Sequence, residues 1–320
     1  MRLPWLSDYA RALGTALDQD RLGHAPLLHG PRGLGKIELA HWLVARILCL
    51  DESGAAPCGR CRSCTLLKSG THPDLFVAGI PEDKSQIMID IVRELCRGLQ
   101  LTPSIGRRRV GLIEPAEAMN RNAANALLKT LEEPADRAWL VLVSDHAERL
   151  PATVRSRCQQ VAIRPPDRAQ ALEWLRQESK LQQQQQRLSL ALEAAGGAPC
   201  RALALIDDEG LDFGLAVREV LLSLAEGRPV AAAVADDWAA RAHDAWAWIA
   251  HWVWQWSAQC LGLDPPESEQ RLPMPSRADS LGRMWQQALD GQQLAGTAIR
   301  ADLLIGKWLL EWSACFETGG

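Results

Sequence analysis

Short apolar runs alternate, through the first half of the chain, with longer stretches whose apolar residues recur every three or four positions. Pro26-Leu27-Leu28-His29 is too short for a helical repeat and predicts a buried strand. Val110 to Ile113 and Trp139 to Val143 predict two further interior strands. Lys36 to Leu48 carries helical spacing after the first of these. Arg121 to Glu133, between the other two, is rich in the helix formers Ala, Leu, Lys and Glu, and Pro134 stops it. Strands separated by helices imply an α/β fold, a parallel sheet with helices on both faces.

The pattern changes after residue 163. In Arg164-Pro165-Pro166-Asp167 two prolines can continue neither a helix nor a sheet ladder, and Asp167 can cap a following helix, so a domain boundary is predicted there. Helical spacing then runs to the end, with a second boundary near Asp207 to Gly210. Gln182 to Gln186 predict a solvated helix face or turn, and the Pro- and charge-rich stretch Leu263 to Ser280 a long surface loop. Trp246, Trp248, Trp252, Trp254 and Trp256 point all around a helix that turns about 100° per residue, so that helix must be enclosed. Stacking on single-stranded bases needs interleaved cations, and between Arg241 and Cys260 only His243 and His251 are present.

A length of 320 residues exceeds one ordinary core and suits two or three domains. A net charge of -4 and a pI near 6.0 argue against a surface that grips DNA throughout, because neutralising phosphate needs an excess of Lys and Arg. Arg107-Arg108-Arg109 could touch phosphate, although three arginines at a strand entrance are more often solvated. No stretch approaches the ~20 uninterrupted apolar residues of a membrane helix, and Met1 to Ala10 lacks the basic-then-apolar order of a secretory signal. A cytoplasmic location is therefore expected, where the nine cysteines stay thiols or bind metal.

Gly30-Pro31-Arg32-Gly33-Leu34-Gly35-Lys36 fits the phosphate-loop pattern between a strand and a helix. The glycines let backbone N–H groups approach phosphate, and the lysine meets the terminal phosphates. The next residue should be Ser or Thr, to ligate Mg²⁺, but it is Ile37. The second strand should end in an acidic pair; Glu114 can fill its first place, but the second is Pro115, and Glu117 lies farther along. Hydrolysis is thus less expected than binding. Two readings stand for the loop, weak nucleotide affinity and a rigid packing turn with no ligand.

Cys49, Cys58, Cys61 and Cys64 follow the predicted helix at compact spacing, with Gly59 allowing a tight turn. Four thiolates make the closed tetrahedral shell of a structural Zn²⁺ site, which would fix an insertion too small for its own core. Cys96, Cys158, Cys200, Cys260 and Cys315 are scattered and expected to be buried as small apolar residues.

Taken in order, Arg21-Leu22-Gly23-His24-Ala25, the phosphate loop, the cysteine cluster, the run Asn122 to Pro134 and Ser156-Arg157-Cys158 resemble the clamp-loader branch of the AAA+ ATPases. The likeness is dense from residue 21 to 163, thins beyond it, and at the C-terminal end rests on helical character alone. It implies an AAA+ P-loop domain over 1–163 with a zinc module at 49–64, a small helical lid over 164–208 and an all-α collar over 209–320 that joins subunits in a ring. Motor subunits of the branch keep Thr after the loop lysine and Asp-Glu on the second strand, so Lys36-Ile37 and Glu114-Pro115 look like a stator subunit that is not an enzyme by itself. By the same resemblance Arg157 matches an arginine finger that reaches ATP held by a neighbour, Ser144 a γ-phosphate sensor, and Arg201 a lid sensor. For Arg157 a local ion pair, and for Ser144 a turn hydroxyl, are the alternatives. The degenerate nucleotide site is then Gly30, Gly33, Gly35, Lys36, Ser144 and Arg201, with ATP binding weak or absent. The implied partners are gamma/tau and delta clamp-loader subunits and, through the assembled complex, the sliding clamp and primed DNA, with no membrane. The implied function is support of ATP-dependent clamp loading within a polymerase III assembly. The alternatives are an active gamma/tau-like ATPase using Lys36 with Glu114, and a zinc-dependent DNA-binding module.

Overall fold

The computed structural model describes residues 2–51, 57–230, 233–263, 273–276, 278–295 and 299–316. They fall into two compact units: Met1–Trp174 with Gly197–Arg201, and Leu175–Gly196 with Ala202–Gly320.

The first unit is built on five parallel strands, β1 (Pro26–His29), β2 (Leu75–Ala78), β3 (Arg109–Ile113), β4 (Ala138–Ser144) and β5 (Gln159–Ala162), in the order β2-β3-β4-β1-β5. The three predicted strands are the central ones, β3, β4 and β1, where burial on both faces demands continuous apolar runs. Helices α1 (Ser7–Asp18), α2 (Lys36–Leu48), α3 (Arg62–Lys68), α4 (Ile89–Gln100), α5 (Arg121–Glu132) and α6 (Ala152–Arg155) complete it. α5 starts where Asn120 accepts the N–H of Ala123 through its side chain at 2.8 Å, a side-chain N-cap. β1 and β4 are paired in register, His29 opposite Ser144, so the loop that follows β1 emerges beside the residue that follows β4. That juxtaposition positions the site described below.

Arg109 corrects one expectation. It is only 4% exposed, and its guanidinium donates to the carbonyls of Gly98 and Thr102 and lies 3.5 Å from the buried carboxylate of Asp74. Asp74 also accepts the N–H groups of Ser104 and Ile105. Arg109 is therefore a structural cation of the core and has no face for DNA, whereas Arg108 lies over the Trp139 ring.

Helices α7 (Arg168–Glu178) and α9 (Pro199–Asp207) contribute to both units, and α8 (Gln185–Ala194), α10 (Gly210–Ala225), α11 (Val234–Ala239), α12 (Ala242–Cys260), α13 (Ala278–Leu294) and α14 (Ala301–Ala314) belong to the second. The core of the second unit is aromatic. Trp308 stacks on Trp312 at 5.5 Å, and Trp256 meets Trp312 edge-on at 5.1 Å. Three of the buried indoles donate to carbonyls, Trp252 to Gly214, Trp308 to Met284 and Trp312 to Leu221, which suits a polar tip in an apolar core. α12 is not enclosed all round, however: Trp246, Trp248, Trp252 and Trp256 are buried, but Trp254 is 56% exposed, its ring resting against Trp285. Gln182 to Gln186 are exposed, as predicted. Ala278 to Ser280 are the first turn of α13, not loop, while 264–272 and 277 of that predicted loop lie outside the described residues. Among the described residues no single helix is long and apolar enough to cross a membrane.

α10 approaches α12 at Gly214, where an added Cβ would lie 2.2 Å from the Trp248 ring. Gly214→Ala is expected to destabilise the chain by about 1–3 kcal/mol through overpacking. Gly282→Ala, with nothing near its Cβ in α13, is expected to raise stability by about 0.5–1 kcal/mol. Urea denaturation of both variants checks the contrast.

Candidate functional site: a closed phosphate loop and a thiol cluster

The phosphate loop has the backbone its glycines predict. Gly33 and Gly35 have φ of 85° and 78°, left-handed values that favour glycine, and Gly35 precedes the first turn of α2. Both also lack space: a Cβ on Gly33 would meet Arg201 Cβ at 2.5 Å, and one on Gly35 would meet Leu3 Cδ1 at 2.0 Å. The loop is tied from outside as well. Cys200 donates its N–H to the carbonyl of Gly33 at 3.1 Å, and the Trp5 indole donates to the carbonyl of Leu34 at 3.0 Å. Arg201 thus reaches the loop through its backbone and Cβ.

Lys36 points inward. Its ammonium donates to the carbonyls of Gly30 and Pro31, each at 2.7 Å, and forms an ion pair with Asp145 at 2.6 Å. Ile37 beside it is exposed. Asp145 directly follows Ser144, and its N–H donates to Oε1 of Glu117 at 3.0 Å, so Glu117 anchors the end of β4. The Ser144 hydroxyl is buried and accepts the N–H of His146 at 3.2 Å. Burial raises the Glu114 carboxyl above its ordinary range, opposed by His41 and reinforced by Asp145. The structure brings Gly30, Gly33, Gly35, Lys36, Ser144 and Arg201 into one neighbourhood, and adds Asp145, which the sequence reading did not single out.

Arg157 follows α6. Its guanidinium pairs with Glu132 at 2.7 Å and donates to the carbonyl of Thr153 at 2.9 Å, with both charged side chains partly exposed. A pair this exposed to solvent contributes about 0–1 kcal/mol, so the guanidinium is easily released to another anion.

The four clustered cysteines form the second site. Their sulfurs all lie within 4.8 Å of one another, with Cys49 Sγ 3.8 Å from Cys64 and 4.0 Å from Cys61. A tetrahedral ion with bonds of about 2.3 Å to sulfur has S···S edges of about 3.8 Å, so the donor set fits Zn²⁺. Backbone N–H groups of Cys58, Cys61 and Cys64 donate to Cys49, Cys58 and Cys61 in turn, holding the sulfurs as acceptors. Against burial, which raises it, N–H groups of Cys64 and Leu50 lower the Cys61 thiol to about 6. Burial pushes Cys64 up to about 12. Behind the cluster Ser63 and His72 are buried and 2.8 Å apart. His72 Nδ1 accepts the N–H of Asp74 at 3.1 Å, which leaves Nε2 as the donor to Ser63. That tautomer cannot take a proton from the serine, so the pair is a fastening and not a nucleophile with its base. Burial also pushes Cys158 and Cys200 up to about 11, although these two, like Cys96, Cys260 and Cys315, are half-buried and not the fully buried fillers expected.

Comparisons with known proteins meet this geometry. The family described as DNA polymerase III, delta subunit, matches residues 6–167. The delta-prime subunit of DNA polymerase III from Pseudomonas aeruginosa is 41% identical over 70% of the chain. The chain belongs to the DNA polymerase III delta-prime family. The delta-prime subunit of Escherichia coli is 36% identical over 64% of the chain. These matches span 65% and 61% of the two relatives' own lengths, just under two thirds. A tau/gamma subunit of DNA polymerase III from Haemophilus influenzae is 35% identical over 50% of the chain and 23% of its own length. In fold, a gamma-subunit-related protein of Thermotoga maritima aligns over 98% of the chain and 100% of its own, with a TM-score of 0.52 at 16% identity. The α/β fold read from the sequence is borne out by the five-stranded parallel sheet and is shared with that protein.

Arg109→Ala is expected to destabilise the first unit by about 3–5 kcal/mol, because it strands the Asp74 carboxylate in the core. Arg108→Ala is expected to cost about 0.5–1 kcal/mol, the loss of a cation–π contact at the surface. Thermal unfolding of the two variants separates them.

Proposed function

We propose that the chain is a non-hydrolysing stator subunit of a DNA polymerase III clamp loader. In this role it supports ATP-dependent loading of the sliding clamp onto primed DNA in company with gamma/tau and delta subunits. The observation that carries the reading is the phosphate loop itself. Ile37 offers no oxygen to Mg²⁺, Pro115 stands where the second acid belongs, and Lys36 is engaged by its own loop and Asp145. A chain of this family with those losses is suited to hold the ring and not to drive it. We read 1–163, 164–208 and 209–320 as the AAA+, lid and collar domains, and the cell's cytoplasm as the place of action.

Arg157 is the group this reading offers to a neighbouring motor. A guanidinium is always charged and donates in a fixed fork, which suits it to phosphate oxygens. Its weak pairing with Glu132 keeps it near the surface, oriented and exchangeable. In a reconstituted loader, Arg157→Ala is expected to leave assembly intact and to lower DNA- and clamp-stimulated ATP turnover by about ten-fold or more. Glu132→Gln, which breaks only the local pair, is expected to retain turnover. Unchanged turnover in the Arg157 variant overturns the assignment.

Cys49, Cys58, Cys61 and Cys64 would hold a structural Zn²⁺, which supplies four bonds in place of the core that so small an insertion lacks. Elemental analysis is expected to find about one zinc per chain. Cys64→Ser is expected to lose the metal and lower Tm by several degrees.

A further inference from the structure

Lys36 has no hydrogen left for a ligand. An ammonium carries three N–H bonds, and the carbonyls of Gly30 and Pro31 with the carboxylate of Asp145 take one each. The side chain is only 3% exposed, so bulk solvent has little access to the ammonium. A phosphate-loop lysine otherwise turns this ammonium to terminal phosphates, and here its anionic partner is the Asp145 carboxylate. Its position is fixed by the sheet: His29 and Ser144 are register partners, so the loop after β1 and Asp145 after β4 leave the sheet side by side. Glu117 then clamps the backbone at Asp145 through its N–H. Neighbouring packing leaves the loop little freedom to move away, because Leu3 crowds Gly35 and Arg201 crowds Gly33.

We propose that Asp145 is an internal substitute for the terminal phosphate of a nucleotide, neutralising Lys36 and repelling any phosphate that approaches the loop. Asp145 thus determines whether the loop admits nucleotide, while Ile37 and the Glu114-Pro115 step determine whether a bound nucleotide would be hydrolysed. The inference builds on the non-hydrolysing reading above and separates two losses which that reading joins. An ammonium facing a carboxylate has little net field to offer a second anion, and a phosphate placed there also meets the negative charge of Asp145 at close range.

The test is ADP binding by the purified full chain, measured by calorimetry for wild type, Asp145→Asn, Asp145→Ala and Lys36→Met/Asp145→Asn. Both single variants are expected to bind ADP about ten-fold or more tightly than wild type, and the double variant is expected to lose the gain. Asp145→Ala leaves a buried ammonium short of a partner and loses stability, whereas Asn keeps an oxygen in place. A rise in Tm on adding ADP, larger in either single variant than in wild type, reads the same competition without depending on full stability. Unchanged ADP affinity and unchanged ADP-induced melting in both single variants overturn the proposal. So does a gain that survives Lys36→Met. ATP turnover by the wild-type chain alone would instead overturn the non-hydrolysing reading, and the binding comparison would still judge Asp145.

Discussion

A cation taken out of water must bring its partners with it, and Lys36 shows how much of the first unit answers to that requirement. Its ammonium is satisfied only because β1 and β4 are adjacent, parallel and in register. Its own helix begins at the lysine, so the loop before it must curl back to present two carbonyls. The left-handed glycines make that curl without strain, and the N-terminal segment packs over it through Leu3 and Trp5. A loop shaped elsewhere to hold phosphate has here been completed by protein.

The same rule governs a second buried ion pair. Arg109 and Asp74 sit in the core only because carbonyls and N–H groups surround them along with each other. In the second unit the indole N–H groups of Trp252, Trp308 and Trp312 reach backbone carbonyls, which lets these large rings pack with their donors paired. At these residues charge and aromatic area are treated alike, each side chain finding backbone partners in the core.

Central strands announce themselves in sequence and edge strands do not. Pro26 to His29, Val110 to Ile113 and Trp139 to Val143 are apolar because two helical layers cover them. β5 reads Gln159-Gln160-Val161-Ala162 and is largely exposed, so no period marks it; β2 is short and only partly buried at its start. The cysteine quartet was legible from spacing, because ligands on one short insertion must lie close together. Asp145 was not legible, since its importance arises from strand order: an acid after the β4 serine means little until β4 is known to flank the loop strand. Arg109 misled for a similar reason, three consecutive arginines hiding that the last is the first residue of a buried strand. Trp254 shows the opposite limit, in that an angular count finds every direction occupied but not which direction the neighbours leave open.

α2 runs unbroken from Lys36 to Leu48, with Cys49 as its C-cap. Thirteen residues at about 1.5 Å each make a strut of about 20 Å, rigid on the scale of side-chain motion. One end is pinned by an ammonium in a cage of oxygens, and the other hands the chain directly to a sulfur of the thiol quartet. The two sites therefore lie at opposite ends of a single helix. The distance between ammonium and sulfurs is thus set by a helix and not by a loop.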